Sequence, residues 1–178
     1  MTRQIVLLRG VNLAARNRVA MKELRELLSG EGFESVRTYL QSGNVVLDGD
    51  TPPAGLAAEC ERLIAARLGL DIQVVVRTRD ELAEIVRRNP LAAVAADPKR
   101  YQVTFLADEP SAEAVGRLHE AVHEPERLTV IGRELYAWHP AGVAGSRLSR
   151  LLAGPGLGTT ATARNWRTVM SLLEMADE

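Results

Sequence analysis

The chain has 178 residues, of which 46% are hydrophobic, and its formal net charge is −1. This content supports one or two buried cores, and the lack of a long apolar run or a signal-peptide pattern predicts a cytoplasmic protein with no membrane partner. The near-zero charge argues against a dedicated nucleic-acid binder, and the single cysteine, Cys60, excludes an internal disulfide and a multi-cysteine metal site.

Basic residues are nevertheless concentrated at the two ends of the sequence. Residues 1–22 contain five basic side chains and no acidic one, and residues 135–173 contain four arginines and no acid. If these stretches meet in the fold, they would form an electropositive surface on a protein that is neutral overall.

The first elements are a strand, a long loop and a helix. The apolar run Gln4–Leu8 predicts a buried central strand. Residues 11–20 form a connection longer than is usual between a strand and a helix, which is typical of a functional loop. Apolar side chains at helical spacing from Met21 to Leu28 then predict an amphipathic helix that stops near Gly30.

Residues 37–48 read R-T-Y-L-Q-S-G-N-V-V-L-D and predict a β-hairpin. We expect Ser42 and Gly43 to form a two-residue turn, which pairs Arg37 with Asp48 and leaves the more polar face of the hairpin unburied.

A second helix is predicted from Pro53 to Leu68, with Cys60 on its apolar side as a core residue, and a strand follows over residues 71–77. The order β-α-β-β-α-β is that of a ferredoxin-like sandwich. The capping-box pattern of Thr78 to Glu81 predicts a further helix, which ends before Pro90.

The second half repeats this order and adds a closing helix. The predicted elements are a strand at 101–106, a helix at 111–122, a hairpin at 127–138 with a Gly132-Arg133 turn, a helix at 146–152, a short strand or turn, and a last helix at 164–175 with Thr162 as a candidate cap. We therefore predict an α+β fold of two ferredoxin-like subdomains packed together, 1–90 and 98–178.

Three segments carry a resemblance to a known family. They are L-L-R-G-V-N at 7–12, R-T-Y-L-Q-S-G-N-V-V at 37–46, and T-A-R-N-W-R-T-V at 162–169. Together they resemble the bacterial family catalogued as domain of unknown function number 1697. The resemblance implies two ferredoxin-like subdomains, in agreement with the pattern above, and it implies no assigned activity.

Polar side chains of the first strand end, the hairpin and the last helix form the candidate site. The candidate ligand-binding residues are Arg9, Asn12, Arg37, Tyr39, Gln41, Ser42, Asn44, Arg164, Asn165 and Thr168. Arginine forks and a helix N-terminus favour phosphate or carboxylate ligands, because several N–H donors converge on one anion. The alternative is that residues 164–166 dock the last helix as a polar seam between the subdomains, and both interpretations can hold together.

The histidines give weaker indications. His119 and His123 have the spacing of a two-histidine metal face, but a solvated helix face explains them without a third ligand, and we predict neither a metal nor a cofactor. His139 has no serine or cysteine nucleophile in a known motif, and Ser146 is expected to cap a helix rather than to cradle a phosphate.

The leading hypothesis is the binding of an anionic ligand, namely a phosphorylated metabolite, a nucleotide or a nucleic acid, at the cleft between the subdomains. An alternative is a small enzyme on a phosphorylated or carboxylated substrate, with Arg9 and Arg164 stabilising charge and Tyr39 or His139 moving a proton. A protein-interaction scaffold is a third possibility. The sequence identifies no catalytic residue and no oligomeric state.

Overall fold

The structure is a computed structural model that describes residues 1–178, and it divides into two compact units. The first unit comprises residues 1–83 and 172–178, and the second comprises residues 84–171. The sequence-based boundaries at 90 and 98 stay predictions. Each unit is an antiparallel sheet with helices, so the predicted α+β fold of two ferredoxin-like subdomains is confirmed.

The first unit has the predicted β-α-β-β-α-β order. Its elements are β1 (Thr2–Leu8), α1 (Met21–Gly30), β2 (Glu34–Tyr39), β3 (Asn44–Gly49), α2 (Pro53–Leu68) and β4 (Val74–Thr78), followed by α3 (Arg79–Arg88). The strand order is β2-β3-β1-β4, with β1 central as predicted from its apolar run. The predicted capping box starts α3, since the backbone N–H of Glu81 donates to Thr78 Oγ1 and that of Thr78 donates to the Glu81 carboxylate.

Both faces of the first sheet are buried at its centre. On one face, alternate residues of β1, β3 and β4 pack with the apolar sides of α1 and α2, which include the fully buried Cys60. Burial raises the pKa of the Cys60 thiol to about 12, in agreement with its predicted role as a core residue. On the other face, Ile5, Leu7 and Val46 have no exposed surface. The expectation that this face is unburied was therefore wrong, because it was drawn from the polar hairpin and overlooked the apolar residues of β1.

The hairpin register differs from the prediction by two residues. Tyr39 pairs with Asn44 and Arg37 pairs with Val46, so the connection is a four-residue loop instead of a two-residue turn. The loop is held by tertiary contacts, because the Leu8 N–H donates to the Gly43 carbonyl at 2.8 Å. A shift of two residues preserves which side chains share a face, so the predicted alternation is retained.

The second unit repeats the same strand arrangement. Its elements are β5 (Tyr101–Leu106), α4 (Ala112–Ala121), β6 (Arg127–Ile131), β7 (Glu134–Trp138), α5 (Arg147–Ala153), a 3-10 turn (Pro155–Leu157), β8 (Ala161–Asn165) and α6 (Trp166–Asp177), of which residues 172–177 belong to the first unit. The strand order β6-β7-β5-β8 matches that of the first sheet. The predicted pairing of Val130 with Leu135 across the Gly132-Arg133 turn is confirmed.

The last helix begins two residues later than predicted. Residues 161–165 form β8, and the cap is Asn165, whose Oδ1 accepts a hydrogen bond of 2.9 Å from the Thr168 N–H. Thr162 lies inside the strand, so the prediction that it caps the helix was wrong. The Asn165 amide oxygen meets the requirement for an acceptor at the helix start as well as a threonine hydroxyl would.

The helices of both units are too short or too polar to cross a bilayer.

Candidate functional site

The loop between β1 and α1 is an ordered turn structure. Its backbone is left-handed at Asn12, Ala14 and Asn17, with φ angles of 55°, 53° and 50°. The Asn12 N–H donates to the Asn17 carbonyl at 3.0 Å, and the Arg16 N–H donates to the Leu13 carbonyl at 3.2 Å. Residues other than glycine rarely adopt the left-handed conformation. Three of them within six residues indicate that the hydrogen bonds of the loop determine its course.

Asn12 ties this loop to the tip of the first hairpin. Its side-chain amide donates to the Val19 carbonyl at 2.9 Å and to the Gln41 carbonyl at 2.5 Å, and its Oδ1 accepts from the Val19 N–H at 2.9 Å. The amide group is thereby occupied by three backbone partners. Asn12 is therefore a positioning residue that holds two loops side by side.

A pocket of about 480 Å³ lies between these two loops. It is lined by Asn12, Ala14, Arg18, Val19, Ala20 and Gln41. The side chains of Arg18 and Gln41 are exposed and have no hydrogen-bond partner within the chain. The pocket thus presents a cation and an amide that are free to bind a ligand.

The start of α1 adds to the positive potential at this pocket. Ala20, which lines the pocket, is also the N-cap residue of the helix, and no side chain caps the helix there. The first backbone N–H groups of a helix have no partner within it, and they carry the positive end of the helix dipole. Neither Arg18 nor this helix start was among the predicted site residues. Arg18 lies within the acid-free stretch of residues 1–22, and α1 begins near the end of that stretch, at Met21.

Four further predicted site residues of the first unit make hydrogen bonds within the chain. Arg9 follows β1, and its guanidinium donates to the side-chain carbonyl of Gln73 at 2.7 Å. Asn44 is fully buried and donates to the Tyr39 carbonyl at 3.0 Å and to Ser42 Oγ at 2.9 Å. These bonds stabilise the hairpin tip on which Gln41 is presented.

Arg37 makes a different set of contacts. Its guanidinium donates to the carboxylate of Glu178 and to the backbone carbonyl of Met175, and it does not line the pocket. Asp177, which lies between these two partners in the sequence, accepts a hydrogen bond of 2.6 Å from Arg79. An arginine engaged by an acid of its own chain is less available to an external anion than an unpaired one.

The remaining predicted residues belong to the second unit. Arg164 is only 8% exposed, and it donates to Thr162 Oγ1 at 2.7 Å and to the Ala163 carbonyl at 2.8 Å. Burial lowers the pKa of its guanidinium to about 10, so it is still charged at neutral pH. Thr168 is buried beside the Asn165 cap in the first turn of α6. A ligand-binding role for these three residues stays a prediction.

A second pocket in the first unit offers a comparison. It has a volume of about 270 Å³ and is lined by Thr2, Arg3, Thr78, Arg79 and Asp80. Both arginines already have acidic partners, since Arg3 bonds Asp48 at 2.6 Å and Arg79 bonds Asp177 at 2.6 Å. Its positive charge is therefore largely neutralised, in contrast to that of the Arg18 pocket.

The structure also brings a serine to His139, which the sequence motifs had not indicated. Ser146 Oγ lies 3.0 Å from His139 Nδ1 and donates to Glu126 Oε1 at 2.8 Å. Because the single hydroxyl hydrogen goes to Glu126, His139 Nδ1 must carry a hydrogen and donate it to Ser146. Ser146 also caps α5, as predicted, by accepting from the Ser149 N–H.

The environment of His139 opposes its protonation. The residue is 1% exposed, and its Nε2 atom is buried without a hydrogen-bond partner. Burial lowers the pKa of the imidazole, and this effect outweighs the opposing influence of Glu126. The imidazole is therefore neutral at pH 7.

The two other histidines do not share a helix. His119 lies in α4, which ends at Ala121, so His123 falls beyond it and the predicted common face was wrong. Both side chains are exposed. No cluster of three His, Cys, Asp or Glu side chains suited to a metal occurs in the structure.

Comparisons with known proteins agree with the fold. A family model described as "Protein of unknown function (DUF1697)" matches residues 1–136. The chain is also similar to the solved structure of a conserved bacterial protein from Streptococcus pneumoniae, with a TM-score of 0.79, 22% identity and 98% coverage of each chain. At this identity the likeness is one of fold. No curated protein matches the sequence.

Proposed function

Because the chain belongs to the DUF1697 family of proteins of unknown function, we propose its function from the pocket itself: reversible binding of an anionic ligand in the first unit. The ligand class is a phosphorylated metabolite, a nucleotide or a nucleic acid. The observation that carries the proposal is the Arg18 pocket, where an exposed arginine without an acidic partner lies beside the uncapped N-terminus of α1.

Charge and geometry both favour an anion there. An arginine presents several N–H donors in a fixed plane, which suits the oxygens of a phosphate or carboxylate. The start of α1 offers further backbone N–H donors and a partial positive charge. No acid lies within residues 1–22, and Glu23 in the first turn of α1 offsets part of the positive potential of the helix start.

The size of the pocket indicates a ligand larger than a simple ion. Its volume of about 480 Å³ lies within the range of about 300–1,000 Å³ that is typical of small-molecule sites. The Gln41 side chain, which has no partner within the chain, can donate to or accept from the remaining part of such a ligand.

Calorimetric titration with inorganic pyrophosphate and with a nucleoside diphosphate tests this proposal. Arg18→Ala should weaken the binding of both anions about tenfold or more, since a hydrogen bond to a charged group is worth about 1.5–3 kcal/mol. The matched control is Arg62→Ala, because Arg62 is an exposed arginine of the same unit without an ion pair. Equal affinities of the two variants would contradict the proposal.

A further inference from the structure

A hydrogen-bonded cluster in the second unit joins three segments of the chain. It consists of His139 directly after β7, Ser146 at the start of α5 and Glu126 directly before β6. His139 Nδ1 lies 3.0 Å from Ser146 Oγ, which donates to Glu126 Oε1 at 2.8 Å. Residues 140–145 form the loop that connects His139 with Ser146, so the cluster ties the two ends of this loop together.

The loop of residues 140–145 is the exposed part of this arrangement. None of its residues is buried, whereas β7 and α5 on either side contribute buried side chains to the core of the second unit. Two backbone bonds close the loop. The Gly142 N–H donates to the His139 carbonyl at 2.9 Å, and the Ser146 N–H donates to the Val143 carbonyl at 3.2 Å.

The closed loop leaves no place for a second proton on His139. The residue is 1% exposed, and its Nε2 atom is buried without a hydrogen-bond partner. In the neutral imidazole this atom is an unused acceptor, but in the imidazolium it is a donor that needs an acceptor. A buried donor that lacks an acceptor costs about 1–3 kcal/mol.

The charged groups around His139 offer no acceptor to Nε2. Glu126 lies 3.8 Å from the other ring nitrogen, Nδ1, and its carboxylate already accepts from Ser146. The other charged side chains beside the cluster are those of Asp97 and Arg100 before β5, Glu124 and Arg127 near the start of β6, and Arg147 and Arg150 of α5. Arg100 pairs with Asp97 and Arg127 pairs with Glu124, each at 3.6 Å. The imidazolium is therefore accommodated when the loop opens and water reaches Nε2.

We propose that protonation of His139 breaks its bond to Ser146 and opens the loop of residues 140–145, which makes this loop an acid-sensitive switch. The inference concerns the second unit and goes beyond the anion site of the first. Below about pH 6.5, the ordinary pKa of a solvated histidine, the open loop takes up a proton that the closed loop does not. The ratio of open to closed loop therefore increases about tenfold for each pH unit.

Hydrogen exchange of the whole chain, followed by NMR from pH 7.5 to pH 5, tests the switch. The probes are the Gly142 and Ser146 amides, whose bonds close the loop, and the amides of β5, which report on global unfolding. After correction for the intrinsic effect of pH on exchange, the protection of the two loop amides should decrease about tenfold per pH unit below about pH 6.5. It should also stay at least about tenfold below the protection of the β5 amides.

Two variants show whether His139 is the group responsible. In His139→Gln, which binds no proton in this pH range, the protection of the loop amides should not depend on pH. His119→Gln is the matched control, because His119 is exposed to solvent. In the wild-type chain the imidazole resonances of His139 should change over the same pH range in which the loop amides lose protection, and this measurement decides if His139→Gln does not fold.

Three results would overturn the proposal. The first is a protection of the loop amides that does not depend on pH while the His139 imidazole titrates. The second is the same pH dependence in His139→Gln as in the wild-type chain. The third is a protection of the loop amides equal to that of the β5 amides, which would show that the loop opens through global unfolding alone.

Discussion

The side-chain amide of Asn12 donates a hydrogen bond of 2.5 Å to the backbone carbonyl of Gln41, and it thereby joins the loop after β1 to the tip of the first hairpin. The same side chain makes two further bonds with the backbone of Val19. The pocket lies between these two loops, so this residue determines its shape without offering a free group to a ligand.

We expect Asn12→Gly to lower the free energy of unfolding by about 1–3 kcal/mol and to weaken pyrophosphate binding, because three hydrogen bonds are lost while glycine tolerates the φ of 55°. The control is Asn17→Gly, which also has a positive φ but loses only one side-chain bond, to the Gly10 carbonyl at 3.3 Å. Urea unfolding of both variants measures the difference, and equal losses would be inconsistent with a special role of Asn12.

Gly43 is expected to tolerate no side chain. A Cβ atom there would lie 2.6 Å from the Leu8 Cβ and 2.8 Å from the Val11 Cγ2, and the φ angle is +76°. Gly43→Ala should therefore lower the free energy of unfolding by about 2–4 kcal/mol, the sum of overpacking and backbone strain.

Gly69→Ala separates these two contributions. Gly69 has a similar φ of +67°, but nothing lies within 4 Å of the position that a Cβ atom would take there. Gly69→Ala should therefore lower the free energy of unfolding only by the backbone contribution, about 1 kcal/mol. Thermal or urea unfolding of the two variants provides the comparison, and a loss for Gly43→Ala as small as that for Gly69→Ala would refute the close approach of hairpin and β1.

His139 should make the stability of the protein depend on pH. Burial lowers the pKa of its imidazole in the folded state below the ordinary value of 6.5. Between the two pKa values the unfolded chain binds a proton that the folded chain does not, so stability is complete above about pH 6.5 and falls as the pH decreases. The slope contributed by one such group is at most about 1.4 kcal/mol per pH unit.

The measurement is the free energy of unfolding from pH 7.5 to pH 5 for the wild-type chain, His139→Gln and His119→Gln. The first substitution should remove part of the loss of stability at low pH. His119→Gln is the matched control, because His119 is exposed to solvent. A profile of His139→Gln parallel to that of the wild type would show that the imidazole binds its proton equally in both states.

Arg37 provides a test of which arginine binds the ligand. Because its guanidinium is engaged by Glu178 and Met175 and does not line the pocket, Arg37→Gln should leave the pyrophosphate Kd within about twofold of the wild-type value. Calorimetry of this variant beside Arg18→Ala distinguishes the two positions. A loss of affinity in Arg37→Gln as large as in Arg18→Ala would indicate that Arg37 also binds the ligand.

Local patterns were sufficient to predict most of the fold. The capping box at Thr78, the turn at Gly132 and the apolar face that contains Cys60 depend on neighbours close in sequence, and all three are present in the structure. The first hairpin was predicted in the wrong register because its loop is set by the contact of Gly43 with Leu8 and Val11, which are more than 30 residues away.

The candidate site was less accessible to prediction from the sequence. Its basic character was visible in residues 1–22, but neither helical nor strand periodicity indicates which arginine remains unpaired. Arg37 and Arg18 have the same chemistry, and only the fold places an acidic residue of the distant C-terminal segment on the first of them. Strand β8 was predicted only as a short strand or turn without bounds, because residues 161–165, which include Thr162 and Arg164, carry no clear alternation before a strongly amphipathic helix.

The most direct test of the proposed anion site is an NMR titration of the ¹⁵N-labelled chain with inorganic pyrophosphate. The proposal predicts that the largest amide shifts occur in residues 10–23, above all at Met21, Lys22 and Glu23 at the start of α1, and in residues 40–43. Shifts centred on Arg3 and Arg79, or an unchanged spectrum at millimolar pyrophosphate, would contradict it.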